Sequence, residues 1–436
     1  MNPIPPILPA AGQPMSDTVF ALTLALLLVC PLAIAGVALI NAGLGRSRSA
    51  AQALLGNLAL VAVTAIVFVF VGASFAGTLG GAPVSLHAAG KAWDVLGLGP
   101  FLLRGLNGAG REAQLALLFE FLAVAMLAQL PWGSGADRWR LAGGCAAAAL
   151  LAAIVFPLSA HWIWNSGWLA QLGVNFSLGA GFLDAGGAGC VHLVGGLSAL
   201  ALVWIAGPRR GKFPREGLST AMPGHNASYV LFGCLIALVG WLAWNCAGAL
   251  LWLHADLGAL PGTAIGTLLS ASGALVATFS VTRFRFGKPD ASLCANGWLA
   301  GLVASSACAA VVSPVASLFI GGVAGIFTPL LVEVFELALS VDDPSGAITV
   351  HGAAGLWGLL AVGLFAPQQG QFVAQLIGIA ALLGVMLPLM YLLFALANRI
   401  VPFRVDPDGE RIGMDLQELG GGAYPEFVIH RDESYR

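Results

Sequence analysis

Along most of this chain apolar residues continue for about twenty positions at a time, and charged residues, Gly and Pro collect between the runs. Eleven such runs cover 18–43, 51–78, 112–130, 140–160, 188–206, 227–249, 262–282, 291–310, 314–335, 346–366 and 371–398. A helix rises about 1.5 Å per residue, so each run can cross a hydrocarbon core about 30 Å thick. The pattern predicts an all-α integral membrane protein. Residues 1–15 are Pro-rich and uncharged and read as a tag or disordered lead. The first apolar run is too long for a signal-peptide core, so no cleavable leader is expected. The organisation read from the chain is an external N-terminal segment 1–17, a spanning domain 18–398 and a cytoplasmic tail 399–436.

Composition sharpens this. Of 436 residues, 58% are hydrophobic and 9% charged, against about 25% charged in soluble domains. Nineteen basic and 21 acidic residues leave a net charge of -2 and no basic field for nucleic acid. The seven cysteines lie in apolar runs without a CxxC pair, which argues against a disulfide scaffold.

The loops then fix an orientation. With the N-terminus outside, one side carries Arg46, Arg48, Arg138, Arg140, Arg209, Arg210, Lys212, Arg215, Arg283, Arg285, Lys288, Arg399, Arg404, Arg411, Arg431 and Arg436. The other side carries only Lys91, Arg104 and Arg111. Basic residues concentrate on the cytoplasmic side of membrane proteins. The chain is therefore expected to cross the cell membrane an odd number of times and to end in the cytoplasm.

Two spans share a pattern. Span five opens on Asp184, and six residues later come Val191-His192, three more residues, then Gly196-Leu197. Span ten opens on Asp343, and six residues later come Val350-His351, three more residues, then Gly355-Leu356. Each Asp is suited to an N-cap, and Pro344 to a first helical turn. A His eight residues on lies about 12 Å along the helix. The spans run in opposite directions, so the two imidazoles approach the midplane from opposite faces. An inverted repeat follows, spans one to five against six to ten, with span eleven extra. Such repeats place the substrate path at their interface near the midplane. A mid-membrane imidazole is costly unless partnered or facing a cavity. Pairing through Nδ1 atoms around one shared proton is favoured over two separate bonds to backbone carbonyls. Two His without a third ligand make a poor zinc site, so no metal or cofactor is expected.

Other polar and aromatic residues stand out. Trp162, Trp164 and Trp168 fall beside His161 and Asn165, before Asp184. They fit an interfacial aromatic belt or a cation–π collar at an outer mouth. Trp241, Trp244 and Asn245 in span six fit packing or a pore constriction. Glu120 lies within span three, where a carboxylate either serves function or bridges helices through hydrogen bonds. Glu333 and Glu336 are expected to be solvated, and His87, His225, His254 and His430 to be ordinary polar residues.

These elements together resemble the ammonium transporter family (Amt/Mep/Rh), over nearly the whole chain. Asn41-Ala42-Gly43-Leu44 with Arg46, Pro223-Gly224-His225-Asn226 leading to Gly240-Trp241, Asn296-Gly297 with Leu299 to Val303, Ser313-Pro314 and the Gly321 to Gly325 run also fit. The resemblance implies an eleven-helix homotrimer with one pore per subunit and no enzymatic activity. It implies twin pore histidines at His192 and His351 and a pore-facing Trp241. Trp164 resembles the ammonium-recruiting tryptophan of the outer mouth, and Asp184 the buried Asp that supports it.

The chain departs from the family pattern at several positions. The paired phenylalanine gate is Ala123 and Trp244, the recruitment serine is Gly248, and a span-three Gln is Glu120. The Asp five residues before the second His is Gly346. In the tail, Gly413-Met414-Asp415 and Ala423-Tyr424 match, but Leu419-Gly420-Gly421 replaces the intervening His-Gly-Glu. A PII-type regulatory partner is implied only by the family. The function expected is passage of ammonium or ammonia through a narrow hydrophobic pore after recruitment and deprotonation at the outer mouth. Alternatives are an ammonium-binding receptor with little flux and a channel for another small neutral molecule.

Overall fold

A computed structural model describes residues 15–216, 219–366 and 368–424; the first fourteen residues and the last twelve, with Arg431, Arg436 and His430, lie outside it. Among the described residues eleven helices are long and apolar enough to cross a membrane. They are α1 (Asp17–Leu44), α2 (Ser47–Ala76), α3 (Arg111–Ser134), α4 (Leu141–Ile163), α5 (Ala188–Ala206), α6 (Ala227–Trp252), α7 (Leu257–Phe286), α8 (Ala291–Cys308), α9 (Pro314–Ala338), α10 (Ile348–Phe365) and α11 (Gln371–Ile400). A two-stranded antiparallel hairpin, β1 (Val84–Ala88) and β2 (Lys91–Leu96), follows α2. It packs on the end of α4 and the segment after it, where Trp162 Nε1 donates to the Val95 carbonyl and Trp168 N–H to the Asp94 carbonyl, each at 2.8 Å.

The helices sort by burial. The most apolar windows of α3, α5 and α8 are 72%, 83% and 78% buried within the chain, those of α2 and α11 only 28%. The first group forms the centre and the second faces outward. Lipid supplies no hydrophobic drive for helices to associate, so close contact rests on small residues that let backbones meet. A Cβ on Gly36 would fall 2.6 Å from the Gly233 carbonyl oxygen, and one on Gly240 would fall 2.0 Å from the Ala33 nitrogen. The first helices of the two halves, α1 and α6, thus touch backbone to backbone.

The helices α5 and α10 likewise meet through their backbones. Gly196 and Gly355, the glycines that recur in the repeat, lie at this crossing. A Cβ on Gly196 would fall 2.4 Å from the Gly352 Cα, and one on Gly355 would fall 2.5 Å from the Ala188 carbonyl oxygen. The repeat therefore encodes a crossing of two oppositely directed helices, with α11 outside the five-plus-five arrangement.

Asp184 and Asp343 do not act as the simple N-caps the spacing suggests. An N-cap side chain reaches the N–H two or three residues on. Here Asp184 Oδ2 accepts from the N–H groups of Gly189 and Cys190, both at 2.9 Å. Asp343 Oδ2 accepts from the Ile348 N–H at 2.8 Å. Gly187 and Gly346 take positive φ (82° and 71°) and turn the chain back over the carboxylate. Both helices then open with a widened π turn, over Ala188–Leu193 and Ile348–Ala353, and each turn carries its histidine. The His192 N–H donates to the Gly187 carbonyl five residues back at 3.0 Å. Such turns recur at functional positions in helices.

At the end that carries the tail, buried charges are paired. Arg209 donates to both oxygens of Asp342 at 2.9 and 3.0 Å and to Asp137 at 3.1 Å. Arg138 Nη1 lies 3.6 Å from Asp342 and Arg46 Nε 3.8 Å from Asp137. Burial works to push the Asp342 carboxyl up, but the charge of Arg138 and the bonds and charge of Arg209 outweigh it and hold it below the usual range. The tail is tied to the same end. Asp415 accepts from the N–H groups of Ala51 and Gln52 at the start of α2, Glu418 from that of Leu141 at the start of α4, and Tyr424 meets His225 at 2.9 Å. Glu333 and Glu336 are not simply solvated: they pair with Arg285 and Lys212.

Candidate functional site

The centre of the molecule holds the two histidines. His192 and His351 are 0% and 4% exposed, and their Nδ1 atoms are 3.2 Å apart. A hydrogen bond at this distance needs one donor and one acceptor, so a single proton lies between these two atoms. The rings lie nearly parallel, 26° apart with centroids at 5.1 Å. Trp241 from α6 stacks on His192 at 5.1 Å and 16°, and its Nε1 donates to Ser306 of α8 at 2.9 Å. His192 Nε2 is buried without a hydrogen-bond partner. The arrangement offers a buried, unpartnered ring nitrogen with an indole stacked on its ring.

At the end opposite the tail lies a vestibule of about 1100 Å³. Its walls include Thr78, Ala116, Trp164, Asn165, Asp184 and Trp252. Trp164 Nε1 donates to the Asp184 carbonyl at 2.7 Å. Asp184 Oδ1 is buried and unpartnered. Trp252, at the end of α6, stacks on Trp164 with centroids 4.9 Å apart and planes within 1°. Phe119 packs against Trp164, Trp244 and Trp252 at 5.4, 4.9 and 5.9 Å. Trp244 is buried, and its Nε1 donates to the Gly186 carbonyl at 2.9 Å.

The structure thus gathers His192, His351 and Trp241 at one place and Trp164, Asp184 and Trp244 around the vestibule and its base. Gly248 and Ala123 are not among the vestibule walls. A Cβ on Gly248 would fall 2.1 Å from the Ala185 carbonyl oxygen, so this position seats α6 against the segment before α5. Ala123 is fully buried on α3, one turn after Phe119. Glu120 bridges helices: Asn165 Nδ2 donates to its Oε1 at 2.7 Å, and the Thr78 hydroxyl donates to its Oε2. The chain reading passed over Phe119, Trp252 and Thr78. Phe119 stood next to Glu120 and was within reach, whereas nothing local marks Thr78 or Trp252. Among the described residues no three His, Cys, Asp or Glu side chains are grouped as a metal site requires.

An inverted repeat of membrane-crossing helices, with a buried His pair at the crossing and an aromatic vestibule above it, defines a multi-pass membrane protein built around a central site. The sequence model of the Ammonium Transporter Family matches residues 19–424, and the chain belongs to this family. It is 32% identical over 422 residues to the ammonium transporter Amt2 of Archaeoglobus fulgidus, covering 92% of this chain and 86% of that one. The ammonium transporter 1 member 3 of Solanum lycopersicum is 28% identical, with 89% of each chain covered. Among solved structures, one described as a sensor Amt protein superposes with a TM-score of 0.82 at 25% identity, over 92% of this chain and 98% of that one. The Mep2 structure of Candida albicans shares the fold, with a TM-score of 0.78 at 22% identity, over 95% and 91%. Family members are ammonium transporters, which is a transport role rather than an enzymatic one.

Proposed function

We propose that this chain conducts ammonia, delivered as ammonium, across the membrane along a path that passes His192 and His351. The observation that carries the reading is the 3.2 Å approach of the two Nδ1 atoms from helices of opposite direction. An unshielded cation is costly to move through a water-poor interior, and neutral ammonia is not. Ammonium is an acid of about the strength of a lysine side chain, pKa about 10.4, so a desolvating mouth can hand its proton back to the outer solution; transport is ammonium-equivalent when that proton follows and ammonia alone when it stays outside. Ammonium collects in the vestibule beside Trp164 and Asp184. Ammonia then passes Trp244 and Trp241 and meets the free Nε2 of His192, which exchanges a hydrogen bond with it.

The excess of basic residues on one side supports an external N-terminus and a cytoplasmic tail. A homotrimer and a PII-type partner at the tail end extend the family reading.

Proteoliposomes test it. Wild type is expected to give an ammonium-dependent current or internal pH change. His192→Ala and His351→Ala are each expected to change conductance or ion selectivity while leaving thermal unfolding within about 1 kcal/mol of wild type. Transport unaltered in both variants would remove the histidines from the path.

A second reading is a receptor that binds ammonium with little flux. It is favoured by the flat contact of Trp252 on Trp164, which covers one face of the indole, and by the likeness to the sensor Amt protein. Ligand-induced stabilisation with neither ammonium current nor internal pH change would select it.

A further inference from the structure

Glu120 is a fully buried carboxylate that pairs with no cationic side chain among the described residues. Its two oxygens accept from the Asn165 amide and the Thr78 hydroxyl, both neutral donors. A buried charge is retained at heavy cost unless it finds a counter-charge. The counter-charge can come from the vestibule, because both residues that hold Glu120 line it, and so does Ala116 one turn above Glu120 on α3.

The hydrogen-bond directions decide which ligand suits the place. Asn165 Nδ2 donates to Glu120 and, at 3.3 Å, to Thr78 Oγ1. That fixes the amide and leaves Asn165 Oδ1 as an acceptor. Thr78 spends its only hydroxyl proton on Glu120 and one lone pair on Asn165, so it presents its remaining lone pair. The floor offers acceptors backed by a negative charge. Ammonium has four N–H donors and no acceptor. The aromatic alternative is hindered: a cation needs an open ring face within about 6 Å, and Trp252 lies flat on one face of Trp164.

We propose that Thr78, Asn165 and Glu120 form an anionic ammonium-binding site at the vestibule floor, with Glu120 as the counter-ion. The inference deepens the transport reading and rests on ammonium being the ligand. The cation sits against Thr78 Oγ1 and Asn165 Oδ1, and the carboxylate behind them holds it by charge.

Calorimetric titration of ammonium chloride into the detergent-solubilised full chain, against sodium chloride as control, measures the site directly. Glu120→Gln keeps the shape and removes the charge, and should raise the ammonium Kd about tenfold, a loss of about 1.4 kcal/mol. Glu120→Asp keeps the charge and should recover part of the affinity. Thr78→Val should weaken binding by less than Glu120→Gln. Equal affinity in wild type and Glu120→Gln overturns the proposal. Should Glu120→Gln not fold, unchanged affinity in both Thr78→Val and Asn165→Leu overturns it instead. Parallel current and internal pH measurements separate the two ideas. Glu120-dependent binding without current or internal pH change keeps the site and sinks transport. Current with the same half-saturation in Glu120→Gln keeps transport and sinks the site. The absence of binding, current and internal pH change together sinks both.

Discussion

The two ends of this molecule bury carboxylates in opposite ways. At the tail end Asp342 receives a two-pronged Arg209 and the neighbouring Arg138, and Asp137 receives Arg209 and Arg46. At the vestibule end Glu120 and Asp184 are equally buried, yet only neutral donors reach them, and one Asp184 oxygen has no partner at all. Charge that is neutralised within the protein ties helices and loops together and asks nothing of the surroundings. Charge left over at the wall of a cavity attracts a cation from outside. The first arrangement is architecture, and the second is a binding surface.

The sharpest way to break this comparison is to remove one charge from each end. Asp342→Ala strands two arginines, and loss of one partner from a buried pair costs about 3–5 kcal/mol. Thermal unfolding in detergent should fall steeply, or the folded yield should collapse. Glu120→Gln strands no cation and should shift stability by less than about 1 kcal/mol. Comparable damage from both substitutions would erase the distinction between the two ends.

A smaller effect is expected where the helices cross. In Gly355→Ala the new methyl group meets the backbone of Ala188, which cannot rotate away as a side chain would. Overpacking of this kind costs about 1–3 kcal/mol. It should also part the histidines, so transport should drop further than stability alone explains. Normal transport in a Gly355→Ala protein would mean that the close approach of α5 and α10 is not what aligns the pair.

Acid should produce the smallest change. The Asp342 carboxyl is held below its ordinary value in the folded protein, so its contribution is complete above the unfolded value of about 3.9. The contribution is lost as pH falls through the lower folded value. Unfolding temperature followed from neutral pH to about pH 3 should therefore drop at the acid end. The share of that drop due to Asp342 should vanish in Asp342→Asn. A variant with the same acid slope as wild type would show that the cluster does not titrate as its geometry implies.

Much of the architecture was legible in the chain. The Asp, His and Gly positions of the repeat predicted two oppositely directed helices and paired imidazoles. Their matching glycines turned out to be the points where α5 and α10 touch. The capping detail was not legible: it depends on Gly187 and Gly346 turning the chain back, so that each carboxylate reaches five or six residues on. Gly248 and Ala123 stand where the family pattern has a recruitment serine and a gate phenylalanine; what the chain did not show is that a Cβ on Gly248 would meet the Ala185 carbonyl and that Ala123 is buried on α3.

The sequence alone determined where the chain crosses the membrane, because the length of an apolar run is a local property and lipid accepts only segments that satisfy their own backbone. It also determined the charge asymmetry and the repeat. Tertiary structure decided which side chains meet. A helix that is apolar all round has no polar stripe to fix its rotation, so nothing along the chain says that Thr78 will reach Glu120 or that Trp252 will cover Trp164. Those contacts follow from how small residues let the helices nest, and they are settled only when all the helices pack.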